Sequence, residues 1–113
     1  MILSRLMSMG ACKNMNFSVV AVGYLAIGDS LDTSARALLF QNDTDVKIWI
    51  TDNPLEDQLP LSSGKSLILD ISSNKQSDEG FVAARGKQFY VKAYAGLPSL
   101  GDIHITPMID TAD

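Results

Sequence analysis

Apolar and polar residues alternate along residues 46–51. Val46, Ile48 and Ile50 share one side; Lys47, Trp49 and Thr51 share the other. A period of two marks a strand with one buried face, so the first set is expected in the core. Just upstream, residues 36–42 read Arg-Ala-Leu-Leu-Phe-Gln-Asn, and the polar turn Asp43-Thr44-Asp45 joins the two runs. Two apolar runs around a short polar turn predict a β-hairpin. The alternation recurs over residues 88–95. There Phe89, Val91, Ala93 and Ala95 are expected to face inward, and Tyr90, Lys92 and Tyr94 outward. Over residues 102–109, Ile103 and Ile105 are expected inward, with His104 and Thr106 outward. Pro107 cannot donate to a strand ladder, which predicts a sheet edge or a bulge at that point.

Three further segments complete the pattern. Residues 17–27 are rich in β-branched and aromatic side chains and predict a first strand, with Gly23 marking a bulge or bend. Residues 66–71 and 81–84 predict two more strands. Gly, Asp, Ser and Pro clusters punctuate the chain at 28–34, 52–57, 63–64, 85–87 and 96–99, and residues 72–80 form a long polar loop. About seven strands with short connections and no helical period predict an all-β fold. The expected architecture is a single small antiparallel β-sandwich, jelly-roll-like or Ig-like, spanning residues 17–110. Residues 1–16 are expected to be an extended N-terminal arm and residues 111–113 a tail.

Composition narrows the function. A chain of 113 residues holds one core. The acidic residues are nearly all Asp, which suits turns rather than helices. The net charge is −4 and the nine basic residues are scattered, with no stripe to track a phosphate backbone, so no nucleic-acid partner is expected. Cys12 is the single cysteine, which rules out an intrachain disulfide and fits a reducing compartment. No apolar run is long enough for a membrane helix, and no membrane partner is expected. The charge of Arg5 lies inside the apolar N-terminal stretch, which speaks against a secretory signal.

Candidate chemistry is sparse. His104 is the only histidine, at an outward strand position, and cannot by itself build a multi-histidine metal site. Gly28-Asp29-Ser30-Leu31 matches a lipase nucleophile block in four letters, but that chemistry belongs to α/β sheets with helices; a turn explains the letters better. The carboxylates of Asp43 and Asp45 lack the glycine and downstream glutamate of a calcium loop, so a turn is again the better reading. No catalytic residue, metal ligand or cofactor is expected. Two readings of Trp49 stay open: a ring that covers its own sheet, or a contact with a partner subunit, where Trp is enriched.

The order of segments resembles a group of small structural proteins of tailed bacteriophages. The residues that carry the likeness are the Arg36-to-Asn42 run, the turn and the strand at 46–50. They are followed by Leu59-Pro60-Leu61 with Gly64, Ser66 and Leu67, then the aromatic–Ala strand at 88–95 and the final Gly101-to-Thr106 segment. The likeness covers residues 17–110. It implies a β-sandwich virion component without an active site: a capsid decoration or cement protein, or a neck, tail-ring or fibre-adaptor protein. Partners would be other virion proteins and further copies of the chain, assembled in the host cytoplasm. The arm is then expected to dock on neighbouring chains through Leu3, Leu6, Met7 and Met9, whose Met and Leu side chains suit irregular apolar grooves. Trp49, Tyr90 and Tyr94 are the candidate contacts on the sandwich. A sheet face that stacks aromatic rings on a carbohydrate of the host surface is the rival.

Overall fold

The computed structural model describes residues 7–10, 12–31, 35–70 and 86–110. Their regular structure is almost wholly strand. β1 (Met7–Met9), β2 (Lys13–Asn16), β4 (Ala37–Asn42), β7 (Ser66–Asp70) and β9 (Asp102–Asp110) form one antiparallel sheet. β3 (Leu25–Ala26), β5 (Ile48–Thr51), β6 (Leu59–Leu61) and β8 (Tyr90–Ala93) form the other, in the order β3-β8-β5-β6. The chain is therefore the expected small all-β sandwich. No helix of the described residues is long and apolar enough to cross a membrane.

The period-two reading holds where the core is made. Leu38 and Phe40 of β4 and Ile103 and Ile105 of β9 are buried from one sheet; Ile48, Ile50, Val91 and Ala93 are buried from the other. Phe40 meets Phe89 edge-on across the sandwich, with ring centroids 6.0 Å apart at 80°. That geometry sets the positive edge of one ring against the negative face of the other. Ala95 does not follow the pattern: it lies beyond the end of β8 and is exposed.

Several expectations need correction. Residues 36–51 are not a hairpin, because β4 and β5 belong to different sheets. The turn between them is a corner from one sheet to the other, and the side chain of Asn42 locks it. Fully buried, its Nδ2 donates to Val46 O (2.8 Å) and Leu61 O (2.9 Å), while its Oδ1 accepts from Thr44 N (3.0 Å) and Thr44 Oγ1 (2.6 Å). Thr51, expected to point outward into solvent, is buried, and its hydroxyl is tied to the backbone of Asn53. Thr106, opposite Leu39, is also buried.

Residues 17–27 are not one strand. The side chain of Asn16 accepts from Ser18 N (3.1 Å) and caps a short 3-10 helix, Phe17–Val19. The chain then crosses between sheets, where no strand offers a continuous ladder. Ala21 O accepts from Ala93 N, yet Leu25 already faces Val91, so two pairs of residues on one side oppose one on the other. Gly23 sits in that bend, as expected of it.

Residues 7–10 and 12–16 are not an appendage. β1 and β2 both pair with β9 of the same chain. Met9 faces Met108 and Lys13 faces Ile105, so four steps along the first strand match three along β9. One extra residue makes a bulge, and it lies beside Pro107, whose carbonyl accepts from Gly10 N at 2.7 Å. The proline is thus accommodated inside the sheet, at a bulge, because its missing donor faces the break. The expected strand at 81–84 and loop at 72–80 lie outside the described residues.

Candidate functional site

The pairing of β5 with β8 builds the most elaborate exposed surface. Trp49 stands opposite Lys92, and Thr51 opposite Tyr90. Since Ile48, Ile50, Val91 and Ala93 point into the core, parity sends Trp49, Tyr90 and Lys92 to the outer face. Tyr94 N donates to Lys47 O (3.1 Å), which carries the pairing past the end of β8 and keeps Tyr94 on that face. Two of the three candidate aromatics are brought together. Trp49 and Tyr94 stack with centroids 5.0 Å apart and planes 20° apart, and the Lys47 ammonium lies 4.4 Å from the Tyr94 ring. Tyr90 is half-buried at the other end of β8 and makes no ring contact with them.

A second group on the same face centres on Asp57. Tyr24 OH donates to Asp57 Oδ1 (2.7 Å), Lys92 Nζ lies 3.2 Å from the same oxygen, and Lys92 also covers the Tyr24 ring at 4.7 Å. Partial burial, then the hydrogen bond to Asp57 and its negative charge, pushes the Tyr24 phenol well above its ordinary value. Hydrogen bonds from Tyr24 and then Lys92 hold the Asp57 carboxyl below the usual carboxylate range. The loop that carries Asp57 leaves β5, so to reach Lys92 on β8 and Tyr24 beside β3 it must lie across the outer face. Sequence parity pointed to Lys92; the Tyr24–Asp57 contact spans 33 positions and had no local signal.

The other candidates resolve as follows. Leu3 and Leu6 lie outside the described residues. Met7 and Met9 lie on β1, paired with Asp110 and Met108 of their own chain. His104 is not isolated: β2 sets Asn14 opposite it. Its Nδ1 contacts Asn14 Oδ1 and lies 4.0 Å from Cys12 Sγ, and its Nε2 lies 3.7 Å from Asp43 Oδ2. Cys12 is exposed and donates toward Asn14 Oδ1 (3.3 Å). Ser30 stands apart from this group, its carbonyl accepting from Lys13 Nζ at 3.5 Å. Asp45 accepts from Ser99 N and Ser99 Oγ, which holds its carboxyl low, and turns its charge onto its own loop. Among the described residues no group of three or more His, Cys, Asp or Glu is placed to hold a metal ion.

An apolar cleft of about 170 Å³ opens between the sheets beside β6 and β7, walled by Phe40, Ile50, Leu67, Leu69 and Phe89. Its one charged neighbour, Asp52, is already paired with Lys87 at 2.8 Å. No family model, curated protein or solved structure matches the chain.

Proposed function

We propose that the protein is a non-enzymatic structural subunit of a tailed-phage particle, a decoration or cement protein. It docks on other particle proteins through the outer face of its β3-β8-β5-β6 sheet. One observation carries this reading: the Trp49–Tyr94 stack with Lys47 against it on the outer sheet face, where Trp49 is half-buried and Tyr94 and Lys47 are exposed. Trp and Tyr dominate binding energy at protein interfaces because they bury large area with few rotors. A stack already formed before binding lowers the entropy lost on docking. The likeness of residues 17–110 to phage structural proteins supports the same reading. The pairing of β1 and β2 with β9 of the same chain gives Met7 and Met9 an intrachain place, which favours this face over the arm as the docking surface. A carbohydrate would need open ring faces, and Tyr94 is already engaged by both Trp49 and Lys47.

The test is retention on purified particles. Replacing Trp49 and Tyr94 together by Ala should weaken binding by about 30-fold or more, the loss of one interface hot spot, with circular dichroism unchanged. Retention equal to the parent protein would overturn the reading. The copy number relative to the major shell protein then separates a capsid subunit from a neck or tail ring.

A further inference from the structure

We infer that this outer face is complementary to itself. Two copies pack it face to face across a two-fold axis, the loop tip of each resting on the aromatic end of the other. The inference rests on the docking reading above and names one partner: a second copy of this chain.

Charge and shape are segregated along the strands. One end of the face carries Lys47, Trp49 and Tyr94, and the adjoining loop leaves Leu97 59% exposed. The loop 52–58 starts from the other end, after Thr51, and crosses the outer face to bring Asp57 to Tyr24 and to Lys92, opposite Trp49. Its tip presents Leu55, 90% exposed, beside Glu56. Two of the loop's carboxylates are satisfied within the chain, Asp52 by Lys87 and Asp57 by Lys92. That leaves Glu56 at one end and Lys47 at the other, neither in an ion pair among the described residues. The face thus has an acidic ridge tipped with leucine at one end and a cationic, aromatic step at the other.

The ridge is rigid. Thr51 Oγ1 donates to Asn53 O (2.8 Å) and accepts from Asn53 N (3.0 Å). Asn53 Oδ1 accepts from Leu55 N (3.1 Å), Asn53 O accepts from Glu56 N (2.9 Å), and Gln58 Oε1 accepts from Asp52 N (3.0 Å). An ordered loop that holds a leucine in water loses little freedom when that leucine is covered.

Both complementary ends lie on one face, so a two-fold axis lying between the two faces and running across the strands places each ridge over the other copy's step. That contact is isologous and closes. Leu55 meets the Trp49–Tyr94 stack, and Glu56 meets Lys47. Four strands spaced about 4.8 Å and two to four residues long offer at most roughly 250 Å² per copy, well under the roughly 800 Å² of a standard interface. The isolated pair is therefore weak, and the particle's repeated symmetry consolidates it.

Sedimentation equilibrium of the full chain, from about 10 µM to about 1 mM, tests this, since a pair this small belongs in that range. The parent protein should show a monomer–dimer equilibrium that weakens with salt. Lys47→Glu and Glu56→Lys should each weaken it by about tenfold, and the double charge swap should recover most of the loss. Leu55→Ala should weaken it without changing the melting temperature. A monomer at every concentration overturns the inference, as does a double swap no better than its singles. If that monomer still decorates particles through Trp49 and Tyr94, the docking reading stands and only self-pairing falls. If particle binding is lost to neither substitution, both fall.

Discussion

Replacing Asn42 by Ala is the sharpest probe of how the two sheets are joined. The amide makes four hydrogen bonds inside the core: two donated, to Val46 O and Leu61 O, and two accepted, from Thr44 N and Thr44 Oγ1. Val46 O keeps a second donor, Thr44 Oγ1 at 3.0 Å. Truncation therefore strips Leu61 O and Thr44 N of this partner, in a place water reaches poorly. Buried groups left unpaired cost about 1–3 kcal/mol each, so the loss should be about 3 kcal/mol. For a domain of this size that lowers the melting temperature by roughly 10 °C. Urea unfolding followed by Trp49 fluorescence gives both the midpoint and its slope; an unchanged slope shows that the native surface is intact. A loss below about 1 kcal/mol at constant slope would mean that the corner is held by backbone and packing alone, and would refute the account. Asn42→Asp is the companion. It keeps the acceptor but sets a carboxylate against two carbonyl oxygens, so it should be at least as harmful at neutral pH.

Other outcomes follow from the same geometry. Gly101 has φ +93°, and a Cβ there would lie 2.0 Å from Asp43 O; Gly101→Ala should cost at least about 2 kcal/mol in the same assay. Phe40→Ala removes one member of the inter-sheet ring pair and should cost about 3–5 kcal/mol; a smaller value would mean that the core closes around the gap. Asp45 and Asp57 are held below their ordinary value of 3.8 in the folded chain. Their contribution is present above that value and lost as pH falls through it toward the lowered one, so the melting temperature should decline below about pH 4, less steeply in Asp45→Asn and Asp57→Asn. Tyr24 is shifted upward, so its contribution is lost in the opposite direction, as pH rises past 10.0. Cys12 is exposed; a small aromatic disulfide should label it fully in the folded protein, and a protected thiol would contradict the placement of residue 12.

What the sequence determined by itself was the period. A side chain at every second position needs no distant information, so Ile48, Ile50, Val91, Ile103 and Ile105 were legible as core, and Trp49, Lys92 and Tyr94 as outward. Turn chemistry was equally local: Ser63-Gly64 turns with Gly64 at φ +72°, and Gly23 bends where expected. Which strand lies beside which was decided only in three dimensions. Residues 36–51 have the letters of a hairpin, yet β4 and β5 part into separate sheets, because Asn42 finds Leu61 O, 19 positions away, and ties the turn to both layers. Residues 7–9 and 13–16 have no anchor in their own letters; β9, some ninety positions later, supplies it. The candidate face has the same division. Parity aimed Trp49 and Tyr94 outward, but their stacking needed the β5–β8 register, and the ridge beside them needed Asp57 to find Tyr24 and Lys92 across the sheet. Local steric preference writes a strand into a few residues; the pairing of strands is a contest among distant partners, won by whichever arrangement leaves fewest buried groups unpaired.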